Sequence, residues 1–348
     1  MALSIKLATI GKYLDQPSLV NKLNKSVPVV LLGAGSAYCV SDTLKTQKNE
    51  RKNRFIQNAS VISFTLASAL LATRGLKVKG KEIFEGLIEL PNLHMSELKE
   101  VLAKVTDEKT KQLINNVAKG KILKLKEVKS LEQSLNSTFE EQGLINKIIP
   151  NADNNEGAFE ELGKLSLLGL VPVIGGISGG VLGDVLTKQK WKEKFPDKIK
   201  EGSYQYLNNI FLCNVGAGIS LVLMNKLKVK SKAVRFSGML AGVIGVGLVA
   251  GNFIANFVGK NFINPMFNKE KNIKKDFHSK IKDLNSERHP EALDLSLHVD
   301  DIASVGFLSG FKWIGPILPI LYTVSGYRAG IGYRNGKNSE KPITLNKA

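Results

Sequence analysis

Residues 165–186 read LSLLGLVPVIGGISGGVLGDVL, and this stretch decides the fold class. It carries a single charge, Asp184, close to its end. Roughly 20 consecutive apolar residues suffice to cross a bilayer as a helix. Most helices in water, by contrast, keep one polar face. The glycines are spaced for helix contact. Gly175, Gly179 and Gly183 share one face, and Gly176 and Gly180 form a parallel stripe. Small residues four apart let backbones approach closely in lipid.

Further apolar windows lie on both sides, at 27–40, 55–73, 204–224, 236–258 and 302–324. Gly238 with Gly242, and Gly247 with Gly251, repeat the four-residue spacing. The window at 27–40 is short for a span. The one at 302–324 contains Lys312, Pro316 and Pro319, which suits a re-entrant, interfacial or kinked segment. The chain averages hide this segregation. Its 348 residues are 43% hydrophobic with a mean hydropathy of −0.03, values typical of a soluble protein. They are the sum of apolar windows and lysine-rich segments between them. Global disorder is excluded by the apolar content, and a disulfide scaffold by the presence of only two cysteines.

The pattern predicts an all-α, polytopic helical membrane protein, built from repeated small-residue helical hairpins with amphipathic polar helices between them. Residues 1–80 form an N-terminal segment and first hairpin, 81–164 a polar helical insert, and 165–267 a second hairpin plus a glycine-rich helix. A charged extramembrane segment covers 268–301, and a third partial hairpin with a basic tail covers 302–348. In the insert, Ile83, Phe84, Leu87, Leu90, then Leu98, Val101, Leu102 and Val105, and later Ile122 to Leu135, recur at helical spacing. Such helices either pack together or lie on the bilayer surface. The first residues lack the pattern of a signal peptide and are expected to be retained.

The repeat is read from two segments. Residues 27–48 are VPVVLLGAGSAYCVSDTLKTQK, and residues 171–190 are VPVIGGISGGVLGDVLTKQK. Asp42 corresponds to Asp184, and the following apolar helix ends in LKVK in both copies, at 76–79 and 227–230. Pro28, Pro172 and Pro316 are 144 residues apart each time, and a weaker third copy begins near Gly315. The implied unit is a proline-initiated helix leading to an acid and a basic loop, then a second apolar helix.

Polar residues at membrane depth are the candidate site. Asp42 and Asp184 end the first helices, with Lys45 and Lys188 as the expected surface partners. Asn58 and Asn209 open the second helices and are placed to bond across them. No zinc spacing, nucleotide loop or nucleophile motif is present, so no cofactor and no enzymatic activity are expected. His298 with Asp300 and Asp301 is a weak cation candidate, and Cys39 and Cys213 read as small packing residues. The formal charge of +18 points to anionic partners. Anionic lipid comes first and nucleic acid is the less favoured choice, because the basic residues are mostly lysine.

An integral membrane location follows, with the particular membrane unspecified. Three functions are compatible with the sequence. The first is a structural or assembly protein whose glycine-rich helices mediate packing or oligomerisation, as a homo-oligomer or within a membrane complex. The second is a channel or transporter built from repeats. The third is a membrane-surface scaffold binding anionic lipid. Topology is in tension with the charge distribution. The loops expected at 41–54, 187–203 and 225–235 are all lysine-rich, the last two flank one window, and the positive-inside rule cannot satisfy both.

Overall fold

The computed structural model describes residues 9–79, 81–91, 93–138, 144–149, 158–229, 232–268 and 299–332. Most of the charged segment 268–301, the loop at 150–157, the tail after 332, and His278, His289 and His298 lie outside the described residues. The elements in chain order are α1 (Pro17–Lys45), α2 (Arg51–Arg74), β1 (Gly75–Val78) and β2 (Lys81–Glu85). Then come α3 (Met95–Lys104), α4 (Glu108–Ala118), α5 (Leu125–Thr138), α6 (Leu144–Ile148) and α7 (Ala158–Leu186). A π-helical turn at Leu207–Phe211 joins α8 (Trp191–Tyr206) to α9 (Leu212–Lys226). The helices α10 (Lys232–Gly242), α11 (Gly251–Val258) and α12 (Asn264–Asn268) are likewise joined by π turns. Finally, α13 (Val299–Leu308) passes through a 3-10 turn at Lys312–Ile317 into α14 (Leu318–Ile331). The chain divides into two compact units. One is Met1–Pro28, Ile88–Ala158 and Gly306–Leu318. The other is Val29–Leu87, Phe159–Val305 and Pro319–Ala348.

In the first unit, α3 to α6 pack together around one apolar core. Leu98 and Val101 of α3, Ile114 and Val117 of α4, Leu131 and Leu135 of α5, and Ile148 of α6 are all buried. Asp107 caps α4, accepting from the Thr110 amide at 2.9 Å. The Thr110 hydroxyl and amide both bond the charged form, which holds the Asp107 carboxyl below the usual aspartate range. The N-terminal segment, helical over residues 9–14, is stitched to this unit. Gln16 donates to the Leu123 carbonyl at 3.0 Å and accepts from the Leu123 amide at 2.7 Å. The Asp15 carboxylate accepts from the Trp313 amide at 2.9 Å.

The second unit is a helical bundle. α1 and α2 run antiparallel, with Asp42 near the end of one bonded to Arg54 near the start of the other. α7 lies antiparallel to α2, since Gly183 meets Gln57 and Gly175 meets Ser68. α14 runs parallel to α7, with Gly326 against Pro172 and Gly330 against Gly176. α8 and α9 return antiparallel along α7, bonded by Lys198 to Asp184 at one end and by Asn214 to Ser166 at the other. α10 and α11 run back along α9, with Gly242 on Gly216 and Gly251 on Asn208.

Among the described residues, five helical stretches are long and apolar enough to cross a bilayer: Pro17–Lys45, Arg51–Arg74, Phe159–Leu186, Trp191–Lys226 and Val234–Phe267. Their polarity is reversed relative to a water-soluble bundle. Val29, Phe253 and Met266 are 72%, 73% and 71% exposed, whereas Lys198, Glu201 and Gln205 are buried. Water would not support an outer surface so apolar, and hydrocarbon does. The protein is an integral membrane protein with a polytopic fold that is helical apart from the β1–β2 hairpin.

Several sequence expectations are corrected here. Ile83 and Phe84 sit in strand β2, exposed, and not on a helix. Gly75 and Gly86 bracket the hairpin, and Gly75 has φ 73° at a point where a β-carbon would collide with the Phe84 carbonyl. With Pro91 close behind, the stretch is too short for a helix to be stable alone. β1 pairs antiparallel with β2, and the Leu87 amide ties back to the Ala72 carbonyl at 2.8 Å.

Pro28 and Pro172 do not begin their helices. Both lie inside 29-residue helices. Proline within a membrane helix is tolerated where neighbouring groups satisfy the freed carbonyl. The window at 27–40 is therefore part of a helix long and apolar enough to cross a bilayer. The stretch 187–203 is not a loop, because only 187–190 separate α7 from α8. The window at 302–324 is broken between Leu308 and Leu318, where Gly310 (φ 102°) and Pro316 interrupt the helix.

Candidate membrane polar site

Two polar groups lie at the end of the second unit where α1, α7 and α14 terminate. In the first, Arg54 Nε is 2.5 Å from Asp42 Oδ2, and Asn58 Nδ2 donates to the same oxygen at 2.7 Å. The Tyr327 hydroxyl of α14 donates to Asn58 Oδ1 at 3.2 Å and lies 3.3 Å from the Tyr38 hydroxyl. The second group centres on Asp184. Lys198 Nζ lies 3.2 Å from Asp184 Oδ2 and donates to the Gly330 carbonyl at 2.7 Å. Gln57 of α2 donates to Asp184 Oδ1 at 3.1 Å, and Lys194 lies 3.7 Å from that oxygen. Gln57 thus ties α2 to α7.

From Asp184 and Lys198 a file of buried groups continues along α8 into the π turn. Glu201 meets Arg328 of α14 at 3.5 Å and accepts from Gln205 at 2.8 Å. Gln205 accepts from Asn209 at 2.8 Å, and Asn209 accepts from Asn208 at 2.6 Å. Lys194, Lys198, Glu201, Gln205 and Asn208 follow one another at intervals of three or four, the spacing of one helix face. From Lys198 to Asn209 the file extends about 16 Å along the helix axis. Beyond it, the Cys213 thiol donates to the Asn208 carbonyl at 3.4 Å. Asp300 and Asp301 are buried at the start of α13, and Ser304 bonds the Tyr322 hydroxyl at 2.9 Å.

The four polar residues named from the sequence fall into these groups. Asp42 and Asn58 share the first, Asp184 anchors the second, and Asn209 sits in the file. The expected partners Lys45 and Lys188 are replaced by Arg54 and Lys198. An i+3 or i+4 lysine at a helix end points to water, whereas a base on the following antiparallel helix faces the acid directly. Lys198, Glu201 and Gln205 were not singled out from the sequence as site residues. Their signal was the helical spacing of polar residues running without a break into the apolar window at 204–224.

The glycines named from the sequence face neighbouring helices of the same chain. Gly175, Gly179 and Gly183 meet α2, and Gly238, Gly242, Gly247 and Gly251 meet α9 or the turn before it. Gly176 and Gly180 meet α14. Among the described residues no cluster of three or more metal-ligating side chains occurs. The chain shows no match to a family model, a curated protein or a solved structure.

Proposed function

We propose that this protein is a channel or transporter that passes an ion or small polar solute along the file on α8. One observation carries the reading: Lys198, Glu201, Gln205 and Asn209 are buried at successive turns of a membrane helix and are bonded to Asp184 and Arg328. Ionisable groups are costly at membrane depth and characteristically line ion and solute paths. The π turn at Leu207–Phe211, where Asn208 and Asn209 sit, supports it, because such interruptions recur at functional sites.

The repeated-hairpin reading belongs to the same proposal. α1 and α7 are both 29 residues long, and each carries an acid in its last turn paired to a base on the next helix. Repeats of this kind build the two halves of many transporters. The proposal is non-enzymatic and needs no cofactor.

The test is flux into proteoliposomes of the purified protein, with entrapped dyes reporting protons, sodium and potassium. Wild type is expected to carry at least one of them faster than empty vesicles. Glu201→Gln is expected to slow that flux about tenfold, equal to ~1.4 kcal/mol on the barrier. A wild-type rate equal to that of empty vesicles for all three would favour the structural reading. That second reading, a packing or assembly protein, is supported by the close approach of α7 to both α2 and α14 through glycines. In it, the outward apolar faces dock a second copy or another membrane protein.

A further inference from the structure

We propose that residues 119–129 of the first unit, KGKILKLKEVK, form a binding site for anionic phospholipid headgroups. Lys119, Lys121, Lys124, Lys126 and Lys129 are all exposed here. Glu127 is the one acid, and it is occupied in accepting the Lys124 amide at 2.6 Å. Among the described residues, none of the five lysines has an ion-pair partner.

Two aliphatic side chains stand among them, Ile122 at 38% and Leu125 at 43% exposed. Lysines around exposed aliphatic residues match the boundary between headgroups and acyl chains. Nucleic acid would instead call for arginine and stacking aromatics, and residues 119–129 contain neither.

The segment is held in place. Leu123 is buried between the two exposed aliphatics, and both its amide and its carbonyl bond Gln16. Gly120 takes φ 74° to turn the chain out of α4. A preorganised site loses little entropy on binding. The unit that carries it also includes the first turns of α1, whose later turns belong to the membrane bundle. Chain continuity through α1 thus ties this segment to a membrane helix, which makes anionic lipid the polyanion at hand. The site is independent of any flux along α8.

The test uses the full chain in nanodiscs of phosphatidylcholine alone or enriched in phosphatidylglycerol. Lysine modification by an impermeant amine reagent is followed by mass spectrometry, with exposed Lys99 and Lys109 of the same unit as references. The five lysines are expected to react about fivefold more slowly in the phosphatidylglycerol discs, the effect of a headgroup contact at each, with the references unchanged. Lys121→Glu with Lys124→Glu is expected to return the other three to their phosphatidylcholine rates. Equal rates in both discs would overturn the proposal, and so would equal slowing of the references. Protection in phosphatidylcholine discs by a single-stranded oligonucleotide, with none from phosphatidylglycerol, would assign the site to nucleic acid instead.

Discussion

Lys198→Met is expected to lower the stability of the protein by about 3 kcal/mol. Lys198 and Asp184 are both buried, and their charged atoms lie 3.2 Å apart. Removing the ammonium leaves the Asp184 carboxylate in a site of low polarity, a change that costs about 3–5 kcal/mol in buried pairs. Gln57 at 3.1 Å and Lys194 at 3.7 Å stay in place, which sets the expectation at the lower end of that range. The Gly330 carbonyl also loses its donor. The double variant Lys198→Met with Asp184→Asn is expected to recover most of the loss, because no uncompensated charge remains. Thermal unfolding of the two variants in detergent checks this. Equal destabilisation by the single and double variants would show that packing, and not charge, is what Lys198 contributes.

The glycines give the second large effect. A β-carbon at Gly176 would overlap the backbone carbonyl of Gly326, and one at Gly330 would meet the carbonyl of Gly176. Backbone atoms cannot swing aside as a side chain can, so α7 and α14 must separate. Gly176→Ala is expected to cost about 3 kcal/mol, the upper end of overpacking penalties. Gly33 is the control, since it lies inside α1 with open space where a β-carbon would go. Gly33→Ala is expected to gain about 0.5–1 kcal/mol from the lower flexibility of the unfolded chain. Opposite shifts in melting temperature, from the same chemical change in two membrane helices, are the expected result. A loss at both positions would mean that α1 also packs tightly at Gly33.

These effects follow from features that were unequally legible in the sequence. The membrane helices were readable because apolar runs of this length have few other uses. Their ends were not. Windows of hydropathy stop at the first lysines, and so 187–203 read as a loop although Trp191–Tyr206 is helical. Composition cannot separate a lysine in water from one turned inward to an acid. Lys198 differs from Lys192 only by the helix face it occupies. Asp184 was found because the repeat aligned it with Asp42, but its partner needed the antiparallel register of α7 and α8. The two glycine stripes of α7 were visible as stripes. That one meets α2 and the other α14 required the third dimension. At 83–90 the helical period misled, because Ile83, Phe84, Leu87 and Leu90 are four apolar positions in a segment short enough to fit a hairpin and its exit equally well.

The two-sided basic charge that strained the topology is also eased. Lys198 and Lys200 are buried, so they do not count among the loop charges that orient a helix. The remaining basic residues at each end of Trp191–Lys226 lie near the helix termini, where long side chains reach water.

The most direct test of the account is a map of which loops share a side of the membrane. In a background with Cys39→Ala and Cys213→Ala, single cysteines replace Lys48, Lys188, Lys79 or Lys228 in turn. Each is reacted with an impermeant maleimide in sealed vesicles of defined orientation. The packing of the second unit predicts that positions 48 and 188 react from one face, and positions 79 and 228 from the other. Reaction of 188 and 228 from the same face would contradict it, because Trp191–Lys226 would then not cross the membrane.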